Sequence, residues 1–214
     1  EYKLQHIPNS IFFDLDGNSK KDIELPHMLV EINEWEKIVS NMGINKNNEI
    51  IIYDNSDVIS SCRCWYNFIY FGHNPKLVHV LNGGFKKWLA ENKKVTSSIT
   101  NTQISKYKSF EKKDLVKSKD LIDQNIDEQS FKVIDARSKE RFDGKVSEPR
   151  KGLRSGSIKN SFCIPFNKCL NEDKTFKKKE DLQIIFETCL KNINERNIVF
   201  SCGSGVTACV LALA

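Results

Sequence analysis

The sequence lacks any apolar run of about eighteen residues, the length that a bilayer-spanning helix needs, so no membrane association is expected. Its seven cysteines are odd in number and irregularly spaced, which argues against a disulfide framework and favours a reducing compartment. No targeting peptide is visible, and we expect a cytoplasmic or mitochondrial location. The net charge is only +5 and the lysines are scattered or lie in hydrophilic stretches, so no nucleic-acid binding is expected.

The chain contains an imperfect internal repeat. Residues 6–13 resemble residues 157–164, and the apolar stretch 50–54 parallels 198–202 in the same order and at a similar offset of roughly 150 residues. With 39% hydrophobic and 29% charged residues, the composition is that of an ordinary globular protein. The repeat therefore predicts two α/β modules, each a mainly parallel sheet flanked by helices.

A hydrophilic stretch separates the two copies. Residues 91–120 are rich in Lys, Ser, Thr and Asn and show no sustained apolar period, which is typical of a connector. We expect an N-terminal domain over 1–100, a linker over 101–118 and a C-terminal catalytic domain over 119–214. Each module also lacks the counterpart of one strand of its twin, which predicts that both are cropped at a chain end.

Cys202 lies between a strand-like stretch, 197–201, and a helix-like stretch, 208–214. At such a turn, backbone N–H groups and the positive end of the helix dipole stabilise an anionic sulfur. Gly203 and Gly205 let the chain curl tightly around a bound group, since neither has a Cβ. The loop predicts sulfur-anion chemistry, against the alternative that Cys202 is a buried structural cysteine.

Neither a metal nor a cofactor is expected. Cys62 and Cys64, taken with His73 and His79, fit no standard zinc spacing and lie on a predicted amphipathic helix, so core packing is the better interpretation for the cysteines other than Cys202. A Cys-x5-Arg loop would indicate a phosphatase, but position 208 is Ala.

The chain resembles the tandem rhodanese family, and within it the 3-mercaptopyruvate sulfurtransferases, over nearly its whole length. The matching motifs are 12–16, 25–29, 53–54, 63–66, 71–73 and 81–85 in the first module, and 134–137, 140–142, 148–152, 164–166 and 202–208 in the second.

The resemblance implies roles for several residues of the second module. Cys202 is the sulfur carrier, and Arg141 and Arg150 bind the substrate, where a guanidinium fork suits a carboxylate and its neighbouring carbonyl. On sequence alone, an arginine in such a loop is more often a surface cation or a local salt-bridge partner, and only the resemblance favours substrate binding. Backbone groups of the loop bind the transferred sulfur; its residues are Gly203, Gly205, Val206 and Thr207.

The same resemblance predicts a proton-handling trio of Asp16, His27 and Ser204, with the active site in a cleft between the modules. The alternative for His27 is an interface histidine without a chemical role. Asp54 takes the place of Cys202 in the first module, which is therefore silent as a sulfur carrier.

The predicted function is transfer of sulfane sulfur from 3-mercaptopyruvate, through a Cys202 persulfide, to a thiol acceptor such as thioredoxin or a small dithiol, or to cyanide, with release of pyruvate. Gly203 and Ser204 stand where thiosulfate-preferring relatives usually carry cations, which favours a small mercapto acid. Two alternatives are a thiosulfate:cyanide sulfurtransferase and a persulfide carrier for tRNA or cofactor thiolation.

Overall fold

The computed structural model of the protein describes residues 1–190 and 197–214. These residues form two compact units, Glu1–Leu115 and Val116–Ala214. Helices alternate with parallel strands in both units, which confirms the predicted α/β fold class. None of the helices in the part of the chain that the structure describes is long and apolar enough to cross a membrane.

The first unit has a two-stranded parallel sheet, with Ile50 opposite Val78 and Ile52 opposite Val80. Its helices and strands are α1 (Ile32–Asn41), β1 (Ile50–Ile52), α2 (Ser61–Tyr70), β2 (Val78–Val80) and α3 (Gly84–Ala90). A short 3-10 helix, Pro75–Leu77, leads into β2.

Aromatic side chains from α1 and α2 form the centre of the first core. Trp35 is fully buried, stacks on Phe71 with ring centroids 4.8 Å apart and meets the edge of Phe68 at 5.0 Å. Truncation of a buried aromatic of this kind costs about 3–5 kcal/mol of stability. The apolar face of α1 is thereby fixed against α2.

The second unit has a three-stranded parallel sheet in the order β4-β3-β5. Its helices and strands are α4 (Lys119–Glu128), β3 (Lys132–Asp135), α5 (Lys139–Phe142), β4 (Phe162–Cys163), α6 (Lys179–Glu187), β5 (Ile198–Ser201) and α7 (Ala208–Leu213). Ile134, in the central strand, is fully buried, and Leu182 of α6 and Leu211 of α7 belong to the same core. The carboxyl ends of β3 and β5 meet at one edge of the sheet, since Asp135 lies opposite Ser201.

The internal repeat is a repeat of structure as well as of sequence. Asn9 and Asn160 both adopt the left-handed conformation, with φ of 63° and 62°, which Asn tolerates better than most residues. Each is followed by a serine whose Oγ donates to the carbonyl three residues earlier, at 2.6 Å for Ser10 and 2.5 Å for Ser161. The two modules therefore share one turn at equivalent positions.

Residues 101–115, which the sequence analysis assigns to the linker 101–118, belong to the first unit. Tyr107 is only 1% exposed, its hydroxyl lies 2.8 Å from Nδ1 of His73, and the Lys46 ammonium lies 5.0 Å from its ring centroid. The Ser105 amide donates to the carbonyl of Ser40 in α1. These few contacts attach to the first unit an irregular segment that has no apolar period. The boundary between the two units therefore falls between residues 115 and 116.

Candidate active site

Cys202 lies where the sequence predicts it, in the loop between β5 and α7. Its side chain is half-buried, and the Gly205 amide donates to Sγ at an N to S distance of 3.1 Å. Gly205 has φ of 74°, a conformation that other residues rarely adopt, and this turns the chain back towards the sulfur. An N–H group directed at sulfur stabilises a thiolate or a persulfide anion.

The far side of the loop is anchored by α7. The Cys209 thiol donates to the Gly205 carbonyl at 3.0 Å, and Val206 and Ala208 are buried beside it. The Gly205 peptide is therefore anchored to α7 through the hydrogen bond that its carbonyl group accepts. Thr207, directly before the helix, and Ser204, at the tip of the loop, remain half-buried.

Both predicted arginines reach this loop. Arg150 donates from Nη2 to the Gly203 carbonyl at 2.6 Å. A Cβ placed on Gly203 would lie 3.1 Å from Nη2 of Arg141, so the absence of a side chain at 203 makes room for that guanidinium. The structure thus brings Cys202, Arg141 and Arg150 into one cluster in the second unit.

Sequence reasoning missed the acidic side chains that accompany these arginines. Glu148, whose side chain is 4% exposed, accepts from Nε of Arg141 at 3.1 Å and from Nη2 at 2.6 Å. It also accepts from Nη1 of Arg137 at 2.8 Å. The Arg141 guanidinium, followed by that of Arg137, holds the pKa of Glu148 below its ordinary value of 4.5 against the opposing effect of burial.

Asp135, at the end of β3, completes the set of charges. It is buried and accepts from Nε and Nη2 of Arg137, the shortest distance being 2.7 Å. Three arginines within fourteen residues were the signal in the sequence that counter-charges would be needed.

The first unit supplies the Asp16–His27 pair within itself. Nε2 of His27 lies 2.7 Å from Oδ1 of Asp16, and the Arg63 guanidinium donates to the His27 carbonyl at 2.5 Å. His27 has φ of 58°, a left-handed conformation that fixes an unusual side-chain direction. Its Nδ1 is buried and has no hydrogen-bond partner among residues 1–190 and 197–214.

Four of the other six cysteines are core residues, as predicted: Cys62, Cys64, Cys169 and Cys209 are each buried. Burial raises the pKa of Cys169 to about 11, and burial together with the charge of Asp135 raises that of Cys163 to about 11. His73, considered with Cys62 and Cys64 as a metal ligand, instead contacts Tyr107 and the Asn48 carbonyl. Within the described ranges, His, Cys, Asp and Glu side chains form no group of three or more that could hold a metal ion.

Two repeated α/β units, of which the second carries Cys202 in the loop after β5, define a class of tandem α/β proteins. The family model for the rhodanese-like domain matches residues 1–91 and again 118–214, and the chain belongs to this family. The two matches coincide with the two copies of the repeat.

Among curated relatives, thiosulfate/3-mercaptopyruvate sulfurtransferase 1, mitochondrial, from Arabidopsis thaliana is 37% identical over 235 residues; the match includes all of this chain and 61% of the relative. The 3-mercaptopyruvate sulfurtransferase of Rattus norvegicus is 33% identical over 215 residues, covering all of this chain and 71% of the relative. The chain thus spans about two thirds of the length of these proteins. The crystal structure of SseA from Escherichia coli matches 99% of this chain and 78% of SseA, with a TM-score of 0.86 and 27% identity.

Proposed function

We propose that the protein is a sulfurtransferase that carries sulfane sulfur on Cys202, with 3-mercaptopyruvate as donor. The observation that supports this most directly is the convergence of three groups on one loop. The Gly205 amide meets Sγ of Cys202, Arg150 binds the Gly203 carbonyl, and Arg141 lies against Gly203. A thiolate beside two guanidinium groups suits a donor in which a carbonyl and then a carboxylate follow the sulfur-bearing carbon.

In the first step, the Cys202 thiolate attacks the donor sulfur and forms an S–S bond. The C–S bond of the donor breaks, and its electron pair passes to the carbon, giving the enolate of pyruvate. The proton of the donor thiol is transferred to that carbon, so that pyruvate leaves and Cys202 is left as a persulfide anion. Arg141 and Arg150 hold the carboxylate and carbonyl, which keeps the sulfur in line with Sγ.

In the second step, an acceptor thiolate attacks the outer sulfur of the persulfide and releases the Cys202 thiolate. Asp16, His27 and Ser204 are proposed to move the proton between donor sulfur and carbon, and to activate the acceptor thiol. The acceptor is proposed to be thioredoxin or a small dithiol, with cyanide as a chemical substitute. A cytoplasmic or mitochondrial location agrees with the seven free thiols and with the mitochondrial relative in Arabidopsis.

Charge favours a monoanionic donor. The cluster of Asp135, Arg137, Glu148, Arg141 and Arg150 contains two carboxylates and three guanidinium groups, a net charge of +1. Before the Cys202 thiolate is counted, one donor carboxylate balances that charge, whereas the thiosulfate dianion exceeds it by one. Thiosulfate remains the second candidate donor, because a thiosulfate sulfurtransferase of Rattus norvegicus is 34% identical to this chain.

The test is pyruvate release from 3-mercaptopyruvate with a dithiol acceptor, run beside sulfite release from thiosulfate. Mass spectrometry of the Cys202 peptide, before the acceptor is added, is expected to show one additional sulfur atom. A protein that takes sulfur only from another persulfide, with neither pyruvate nor sulfite released, would be a carrier rather than a donor-cleaving enzyme.

A further inference from the structure

Arg137 lies at the centre of the ion-pair cluster, although the proposed reaction does not use it. Its side chain is 11% exposed and contacts three separate parts of the chain. Nη2 and Nε hold Asp135 at the end of β3, Nη1 holds Glu148, and Nη2 also donates to the Gly156 carbonyl at 2.8 Å. A planar guanidinium with five donors in a fixed arrangement suits such a junction, whereas an ammonium does not.

These contacts join the two ends of a loop. Glu148 begins the segment 148–156 and Gly156 ends it, and Arg137 bonds to both. Arg150 lies within this segment and reaches the Gly203 carbonyl. Gly152 and Gly156 have φ of 81° and 97°, and a Cβ on either would meet open space. Near Gly156, Oγ of Ser155 donates to the Val146 carbonyl at 3.4 Å.

Glu148 also fixes the orientation of the Arg141 guanidinium. Its two carboxylate oxygens accept from Nε and Nη2, which form one edge of the Arg141 guanidinium. Among residues 1–190 and 197–214, the edge formed by Nη1 and the second hydrogen of Nη2 has no hydrogen-bond partner, so it can make a bidentate contact with another carboxylate. The orientation of this edge is therefore set by Glu148, and through Glu148 by Arg137.

We propose that Arg137 and Glu148 are positioning residues that set both Arg141 and Arg150 against the Cys202 loop, so that a carboxylate is bound beside Sγ in one orientation. This rests on the proposed function in one respect, since Arg141 and Arg150 are taken to be the groups that bind a carboxylate. Arg137 and Glu148 touch neither donor nor carrier sulfur in the reaction described above. They act only through the two arginines.

The direction in which Glu148→Gln changes carboxylate binding distinguishes a positioning role of Glu148 from a simple charge effect. Replacing Glu148 by Gln removes a negative charge, and charge alone would then increase attraction of an anion to the cluster. The Gln amide, however, directs N–H donors at an arginine that itself only donates. Arg141 then loses its fixed edge, and an aligned carboxylate is bound less well.

Alkylation of Cys202 measures this without turnover. Iodoacetate and iodoacetamide have the same reactive carbon, and in each the Cys202 thiolate forms an S–C bond as iodide leaves. Only iodoacetate carries a carboxylate, so the ratio of the two rates at the Cys202 peptide reports the arginine contact. The variants are Glu148→Gln, Glu148→Asp and Arg137→Lys. The matched control is Asp143→Asn, which removes one negative charge at the end of helix α5, where Asp143 pairs with Lys139.

We expect Glu148→Gln and Arg137→Lys to lower the ratio of iodoacetate to iodoacetamide rates roughly fivefold. Glu148→Asp should recover part of it, and Asp143→Asn should leave it unchanged. A ratio that rises in Glu148→Gln, or that falls equally in the Asp143 control, overturns the proposal. Should Glu148→Gln fail to fold by circular dichroism, Arg137→Lys and Glu148→Asp decide in its place.

Steady-state kinetics with 3-mercaptopyruvate give a second readout. The same two variants are expected to raise KM about tenfold while kcat falls less, because alignment of the carboxylate is what is lost. Wild-type protein that releases no pyruvate would refute the proposed function. The alkylation ratio would still decide whether Arg137 and Glu148 position the two arginines.

Discussion

Asp54 and Cys202 occupy equivalent positions in the two units, just after strands β1 and β5, and each side chain accepts hydrogen bonds from the loop that follows it. Oδ2 of Asp54 accepts from the amides of Ser56 and Ser60 at 3.1 and 2.9 Å, and Sγ of Cys202 accepts from that of Gly205 at 3.1 Å. The Asp54 carboxylate is thus bound within its own loop. In both units, the side chain that follows the strand therefore accepts backbone N–H hydrogen bonds from its own loop.

Cys202→Ser is expected to abolish sulfur transfer while the fold is retained, because a hydroxyl of similar size keeps the loop contacts but cannot carry sulfane sulfur. Pyruvate release and the extra sulfur atom on the 202 peptide should both disappear. Cys189→Ser, which removes another partly exposed thiol of the same unit, is the matched control and should keep full activity. Substantial pyruvate release by folded Cys202→Ser protein would contradict the mechanism.

The cysteines should differ sharply in their reaction with iodoacetamide. With pKa values raised to about 11, Cys163 and Cys169 are thiolates to roughly one part in a thousand at pH 8. We expect Cys202 to be alkylated first in a peptide-mapping time course at that pH, and labelling of Cys163 to accelerate only as the pH rises towards 11. Equal rates at Cys163 and Cys202 at pH 8 would show that burial does not protect Cys163.

The Cys202 loop was predictable from the sequence because its determinants are local. An apolar strand, two glycines and an alanine-rich stretch specify a strand, a tight turn and a helix within eighteen residues, 197–214. The repeated turns at Asn9 and Asn160 were likewise visible as similar residues at a constant offset. Turns, strands and helices of this kind are set by neighbouring residues and need few contacts with distant parts of the chain.

The features that the sequence did not reveal depend on contacts that form only when the chain folds. Tyr107 is one aromatic residue in a polar stretch, and its burial against His73 follows from a contact that no periodic pattern announces. The nearby arginines indicate that counter-charges are needed, but they do not specify that a folded loop brings Glu148 between Arg137 and Arg141. Even Arg150, correctly placed beside Cys202, turned out to bond to a backbone carbonyl of the loop.

Asp16→Asn is expected to reduce kcat for sulfur transfer about tenfold, with little change in KM or thermal stability, because Asp16 is exposed and orients His27 through a single contact. The control is Asp14→Asn, two residues earlier, where Oδ1 accepts from the Gly17 amide and does not contact His27. His27→Gln should reduce kcat at least as much as Asp16→Asn. If Asp14→Asn and Asp16→Asn have equal effects, loop structure and not proton transfer is the cause.

The first unit should lose stability in mild acid because of His73. Burial, assisted by the Lys46 ammonium, lowers the pKa of His73 below its ordinary value of 6.5. The unfolded chain therefore binds a proton before the folded one, so stability is fully present above pH 6.5 and is lost as the pH falls below it. All three tryptophans, at 35, 65 and 88, are in this unit, and their fluorescence reports its unfolding.

Denaturant titrations between pH 5 and 8 measure this dependence. His73→Gln should flatten it, whereas His79→Gln, which removes a half-exposed histidine paired with Glu49, should leave it almost unchanged. A wild-type protein whose fluorescence-detected stability does not change between pH 5 and 7 would rule out a neutral buried His73.

Donor choice should respond to charge at position 204. Ser204→Lys adds a cation at the tip of the loop, and we expect it to raise the ratio of kcat/KM for thiosulfate to that for 3-mercaptopyruvate roughly tenfold, since a dianion gains more than a monoanion. Ser204→Met, similar in length but uncharged, is the matched control. Both variants lose the Ser204 hydroxyl, so the difference between their donor ratios reports the added charge alone. Gly203→Arg should act differently, because its Cβ would lie 3.1 Å from Nη2 of Arg141 and displace that guanidinium, which lowers use of 3-mercaptopyruvate. The Ser204→Lys effect should weaken as ionic strength rises. A ratio unchanged by Lys, or changed equally by Met, would place donor selectivity in Arg141 and Arg150 alone.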